Sequence, residues 1–250
     1  MKIKTFLLLI LIPAYSCVTA QQFISKAKIE YEVKSNIQKT MGNGTFEDMI
    51  KDKLPEFKVG YFSFTFADNK SVYKFDHWGA VKVPNFIKGG DEENVWYYNY
   101  NTDKYNNQKS IFGTNISLED SIPKLKWRIT NDNRVIAGFN CRKAVAVIFD
   151  SVYVFAFYTD EIMISGGPCS INGLPGMILG VTIPRLYTSW IATKVMVNDV
   201  DENIIKPVAS KKYYDMKFLE KTINERLNQW TPDNDDERQQ KARYLWGFLL

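Results

Sequence analysis

The 250-residue chain is poor in the residues that most chemistry needs: one histidine, three cysteines and no apolar run long enough to span a bilayer. Each scarcity excludes something. His77 alone cannot supply paired imidazole ligands, and Cys17, Cys141 and Cys169 have no paired zinc spacing. No Gly-x-Ser-x-Gly elbow offers His77 a serine to activate. Cys141 sits in an apolar run beside Arg142 and Lys143; cations lower a thiol pKa and burial raises it. A core thiol is the better reading than a Cys141–His77 catalyst. The acids of Asp233-Asn234-Asp235-Asp236-Glu237 lack the glycine and terminal glutamate of a calcium loop, and read as a solvated helix start. Asp160 and Glu161 are adjacent, so on a strand they point to opposite faces. The expectation is therefore no catalytic residue, no metal and no cofactor. Charge is scarce too. The formal net charge is +4, and removing two leader lysines, Lys2 and Lys4, leaves +2. Without a basic stripe, nucleic acid is not an expected partner.

What is present starts with a leader. Residues 1–20 have a charged start at Lys2 and Lys4, an apolar core from Phe6 to Ile12 broken by Pro13, and a small-residue site at Val18-Thr19-Ala20. This is the pattern of a cleaved secretory signal, and the apolar part is too short for a membrane span. Cys17 would suit bacterial lipid modification better with leucine three residues earlier, where Ala14 stands. The expected protein is exported, periplasmic or outer-membrane associated, with peripheral membrane association allowed. Export permits disulfides. A Cys141–Cys169 bridge would add about 3–4 kcal/mol on loop-entropy grounds. Two free thiols, one in the core and one in a loop, is the equally open alternative.

The chain is 14% aromatic and 45% hydrophobic, ample for a core, and beyond the leader its hydrophobic pattern is mostly period two. Ala27, Ile29, Tyr31 and Val33 alternate with charges, the mark of a half-buried antiparallel strand. Residues 45–54 read as a helix stopped by Pro55. Residues 57–66 and 71–75 read as a hairpin around Asp68-Asn69. Strands follow at 95–100, 105–111, 124–129 and 135–139. Two long ones at 141–149 and 152–158 turn at Asp150-Ser151; both of their faces are apolar, which predicts a sheet covered on both sides. Further strands are expected at 177–183, 189–197 and 204–211. The period then changes. Leu219, Ile223, Leu227 and Trp230 fall on one helical face, and residues 233–250 read as a second helix with acids at its start. The aromatic runs Tyr61/Phe62/Phe64/Phe66 and Trp96/Tyr97/Tyr98/Tyr100 suit sheet packing better than a ligand pocket.

The chain is organised around Gly166-Gly167-Pro168-Cys169-Ser170-Ile171-Asn172-Gly173-Leu174-Pro175-Gly176-Met177-Ile178-Leu179. Leu174-Pro175-Gly176-Met177 fits a type II turn, with proline fixing φ at the second position and glycine giving positive φ at the third. Together with Trp127-Arg128-Ile129, Ile136-Ala137-Gly138-Phe139-Asn140-Cys141 and Phe157-Tyr158-Thr159-Asp160-Glu161, this stretch resembles the GLPGLI family of exported Bacteroidetes proteins. The resemblance covers residues 127–179 specifically and the N-terminal strands loosely. It departs at Met177, a conservative change from leucine, and at Cys169, where an aromatic or bulky residue is expected. The resemblance implies an exported envelope protein. It also singles out Trp127, Tyr158, Gly167, Pro168, Gly173, Leu174, Pro175 and Gly176 as the binding candidates.

These readings give a mainly β (α+β) fold, with a curved antiparallel sheet or half-barrel and a C-terminal helical extension. The expected domains are a signal peptide at 1–20, a β domain at 21–213 and the extension at 214–250. The expected function is a non-enzymatic module that binds or carries a hydrophobic ligand. The alternative is an accessory protein that docks on an envelope partner through an exposed Gly167–Gly176 turn and the aromatic tail Tyr244 to Leu250.

Overall fold

The computed structural model describes residues 24–42, 44–198 and 200–250. The leader at 1–20, Asn43 and Asp199 lie outside them. Eleven strands form one antiparallel sheet: β1 (Ala27–Asn36), β2 (Phe57–Ala67), β3 (Lys70–Trp78), β4 (Val95–Asn99), β5 (Lys104–Ile111), β6 (Thr114–Ser121), β7 (Arg128–Ile136), β8 (Phe139–Ile148), β9 (Val152–Thr159), β10 (Met177–Ile183) and β11 (Thr188–Met196). Three helices lie between strands or follow them early in the chain: α1 (Ile37–Thr40), α2 (Thr45–Lys51) and α3 (Asn85–Lys88). The C-terminal pair is α4 (Met216–Leu227) and α5 (Asp235–Leu249).

The sheet order is β6-β5-β4-β3-β2-β1-β11-β10-β9-β8-β7. The amino-terminal strand β1 therefore sits at the centre, and two meanders spread from it. One short link, residues 122–127, carries the chain from the β6 edge to the β7 edge. That link dictates the shape. Laid flat, eleven strands at about 4.8 Å spacing would put their edges roughly 48 Å apart. The steps from Ser121 to Arg128 reach about 25 Å at most. The sheet must curl into a trough for the link to close, so the half-barrel reading holds.

Register puts the large side chains inside the curl. Ile29, Phe64, Tyr73, Trp96, Asn107 and Leu118 face one another in sequence across six neighbouring strands, and all are buried. Of the aromatic runs read from the sequence, Phe62, Phe64, Phe66, Trp96 and Tyr98 lie on this inner face, while Tyr61 and Tyr97 alternate to the outer one. Phe62 and Tyr73 stack, as do Trp96 and Tyr98. The outer face is less covered than two-sided apolarity implied. Val147 is 48% exposed and Tyr153 56%, so β8 and β9 bury one face and leave much of the other to solvent.

Both sheet edges are managed. Tyr214 bridges Leu118 of β6, giving its carbonyl to the Glu119 amide and its amide to the Ser117 carbonyl, both at 2.9 Å. The chain then enters α4, where the Asp215 carboxylate caps the Phe218 amide at 2.7 Å and Asp120 holds the Met216 amide. Leu219, Ile223 and Leu227, spaced four apart, are the buried face. At the start of α5, Asn234 accepts from the Glu237 amide while Glu237 reaches back to the Asp233 amide, a reciprocal cap. On the far edge, β7 is exposed along almost its whole length, polar at Asn131-Asp132-Asn133, and irregular between Ile129 and Asn133. A bulged, polar edge resists pairing with another chain.

Three sequence expectations are corrected. Residues 204–211 form no strand; a short 3-10 turn at Glu202–Ile204 is followed by irregular chain through Pro207. The strand expected at 124–129 begins only at Arg128 and runs to Ile136, with Trp127 just before it. Strand β6 has no counterpart among the strands expected from the sequence.

Candidate functional site

The trough is not empty. Residues 160–176, between β9 and β10, turn inward and fill it with Ile162, Ile164, Cys169, Ile171 and Leu174, all buried. Backbone bonds fix this plug: Met177 N–H to Ile162 C=O at 2.9 Å, Ile178 N–H to Gly166 C=O at 2.9 Å, and Ile171 N–H to Pro168 C=O at 3.1 Å. Side chains of the wall hold it too. The Tyr98 hydroxyl donates to the Cys169 carbonyl at 2.6 Å, the Trp127 indole to the Asn172 carbonyl at 2.9 Å, and the Tyr31 hydroxyl to the Ile178 carbonyl.

This places each candidate the sequence singled out. Trp127 anchors the plug from outside, above Gly173. Tyr158 lies on the inner wall with its hydroxyl unpartnered. Gly167 admits the backbone of the plug: a Cβ there would sit 2.3 Å from the Ile171 carbonyl. Pro168 opens the tight turn at Ile171. Leu174 is buried, and only Gly173 and Pro175 are exposed. The expected type II turn is replaced by a tighter one: the Gly176 amide bonds the Leu174 carbonyl at 2.8 Å around Pro175, and Gly176 takes φ +141°. Its Cβ position lies 2.1 Å from the Thr159 carbonyl, so only glycine lets β10 start against the end of β9. The motif is thus a packing device, and the turn expected to be an exposed docking feature is mostly interior. The tail Tyr244 to Leu250 is covered only at its end: Leu249 and Leu250 are buried, while Tyr244 is exposed.

The thiols are both free and both buried, so the bridge alternative gives way to the free-thiol one. Cys141 touches the Phe139 carbonyl at 3.5 Å, and burial pushes its pKa up to about 11. Cys169 is pushed up to about 12 by burial, against the pull of nearby Lys109. Neither is poised as a nucleophile at neutral pH. His77 lies on the exposed side of β3, bonded to Asp76 at 2.7 Å and stacked on Tyr61. Among the described residues no group of three His, Cys, Asp or Glu could hold a metal ion.

What remains open is the rim. A cleft of about 440 Å³ lies where the 122–127 link, the end of β8, the plug and α4 meet. Its walls are apolar: Leu125, Ile148, Phe149, Ile171, Met216 and Leu249. Lys124, Lys126 and Glu220 stand at its mouth. Its volume and lining suit the apolar part of a small ligand, with charges outside to orient the polar end. Five separate chain segments contribute, so no sequence motif marks it.

Comparison with known proteins adds the family. The model described as "N-glycanase peptide, N-terminal domain" matches residues 91–217, just over half of the 250-residue chain. The chain belongs to this family. A solved structure of PNGF-II in space group P21 superposes with TM-score 0.53 at 14% identity, over 79% of this chain and 32% of that one. A second, PNGF-II in space group C2, gives 0.49 at 15% identity, over 76% and 30%. At such identity the first likeness concerns the fold alone. This chain spans about a third of the length of the PNGF-II chain. No curated protein matches.

Proposed function

We propose that this N-glycanase N-terminal-domain protein is an exported, non-enzymatic binding module whose rim cleft takes the apolar part of a ligand. One observation carries the reading: the apolar cleft between Leu125, Ile148, Ile171 and Met216 is concave and about 440 Å³, while the trough behind it is filled by the chain's own plug. A carrier that encloses a lipid inside the curl does not fit that filling; a ligand lying across the rim does. The resemblance around residues 127–179 supports placing the chain among GLPGLI-type envelope proteins, periplasmic or at the outer membrane. Among the described residues no helix is long and apolar enough to cross a membrane.

The test uses the fluorescent anion 1-anilinonaphthalene-8-sulfonate, titrated into the mature chain and into Met216→Glu and Leu125→Glu variants. Saturable enhancement in the parent, lost in both variants at unchanged thermal stability, supports the cleft. Equal enhancement in all three refutes it.

A second reading has its own support. The matched family is named for an N-terminal domain, and the chain spans 32% of the PNGF-II chain. The module would then serve as an accessory part docked on an envelope protein through side-chain contacts of the rim or of β7, where Val135 is exposed, and not by strand pairing. Cross-linking from a Val135→Cys variant to one discrete partner in envelope fractions supports docking; cross-links spread over many proteins count against it.

A further inference from the structure

A second cleft, which shares no lining residue with the first, carries a different chemistry. It lies between the Gly89-Gly90-Asp91 loop, β5 and the end of α5, with a volume of about 290 Å³. Three cations line it: Lys58, Lys109 and Arg243. Asp91 is the one acid there, and it is already paired to Lys58 at 2.6 Å. Lys109 is 4% exposed. Its ammonium gives one hydrogen bond, to the Phe248 carbonyl at 3.0 Å, and lies 4.7 Å from the centre of the Trp96 ring. Among the described residues no carboxylate lies within ion-pair distance of it. The Nε of Arg243 is buried and has no partner.

Lys109, which is buried, and Arg243, which is half-buried with a buried and unpartnered Nε, thus line one cleft. A buried charge without a counter-charge is costly, and proteins rarely keep one without a reason. Docking of α5 is one use for Lys109, since a cation suits a helix C-terminus. That explains one of its three protons and offsets about half a charge. It leaves the Arg243 Nε unpartnered, with the guanidinium 5.9 Å from the centre of the Tyr187 ring, and the cleft positive overall.

We propose that this cleft binds an oxyanion, a phosphate or carboxylate group, held between the Lys109 ammonium and the Arg243 guanidinium. A guanidinium and an ammonium lining one cleft can supply N–H donors to oxygen acceptors of that shape. The oxyanion is either a free ion or the charged handle of a larger ligand. The site is separate from the apolar rim cleft and stands or falls without it.

The test is isothermal titration of the mature chain at constant ionic strength with inorganic phosphate, glucose 1-phosphate and glucuronate. The expected result is saturable binding of one equivalent of at least one of them. Losing one charge-assisted donor weakens binding by about tenfold or more, so Arg243→Gln and Lys109→Met should each do so, while Lys206→Gln, exposed and outside the cleft, should not. Arg243→Gln keeps the test decisive if Lys109→Met destabilises α5. Phosphate binding as tight as the sugar phosphate identifies the free ion; preference for the sugar phosphate or the uronate identifies a handle on a larger ligand. No saturable binding by any of the three, or binding unchanged in Arg243→Gln, overturns the proposal.

Discussion

Replacing Gly176 with alanine should be the most damaging single-methyl change in this protein, and the size follows from two separable costs. The backbone there has φ +141°, a region that L side chains enter at about 1–3 kcal/mol. The new Cβ would also fall 2.1 Å from the Thr159 carbonyl oxygen and 2.8 Å from its carbon. These are backbone atoms at the Met177–Thr159 pair that starts the β9–β10 ladder, so they cannot move aside without opening it. Adding the overlap to the strain gives about 4 kcal/mol, at the upper end for single substitutions. Gly173→Ala separates the two costs. It has φ +88°, but its Cβ meets only the Trp127 indole nitrogen at 3.8 Å, an ordinary contact. Strain alone predicts about 1 kcal/mol. For a chain of this size each kcal/mol lowers Tm by about 2–4 °C. Circular dichroism melts should therefore place Gly176→Ala about 8–16 °C below the parent and Gly173→Ala only a few degrees below. Equal losses in the two variants, or a Gly176→Ala protein as stable as the parent, would refute the packing role assigned to the motif.

Three further outcomes follow from the interior. Tyr31→Phe strips the Ile178 carbonyl of its buried donor and should cost about 1–3 kcal/mol in urea denaturation; an unchanged midpoint would mean that this bond does not secure the start of β10. Burial holds the Lys109 ammonium at about 8, below its usual 10.5. Between pH 8 and 9 the unfolded chain then binds more protons than the folded one, so stability should rise with pH there. A flat or falling profile in the parent, or the same rise in Lys109→Met, contradicts that burial. The thiols run the other way: with Cys141 raised to about 11 and Cys169 to about 12, their contribution is present below pH 9 and lost as pH climbs through those values. Iodoacetamide at pH 8 should label either cysteine only as fast as the protein unfolds, and rapid stoichiometric labelling of the native state would show an open thiol.

The sequence made one half of the architecture legible and hid the other for physical reasons. Strands with one buried face, such as β1 and β2, announce themselves because Ala27, Ile29 and Tyr31 or Phe62, Phe64 and Phe66 recur every second residue. The helices α4 and α5 show through their spacing and caps. Edge strand β7 does not, because nothing covers Thr130 to Arg134 and no apolar alternation is required of it. Strand β6 carried a signal, Ile116 and Leu118 two apart, but too short to stand out between Phe112 and Pro123. Apolar residues on both faces of β8 and β9 overstated burial, because Val147 and Tyr153 remain exposed. The proline–glycine stretch is legible in the sequence but its turn type is not, since the approach of Thr159 from another strand leaves no room for a Cβ at Gly176. The clefts were invisible for the same reason. Leu125 and Met216 line one cleft, and Lys109 and Arg243 another, only because the sheet curls and the C-terminal helices fold back over it.

The account rests on residues 160–176 being a fixed part of the interior, which hydrogen–deuterium exchange resolved by residue tests directly. The amides of Ile171, Met177 and Ile178, each bonded within the trough, should exchange as slowly as those of the central strand β1. Exchange of these amides at the rate of an open loop, with β1 still protected, would mean that the trough is vacant in solution and that a ligand, not the chain itself, is meant to fill it.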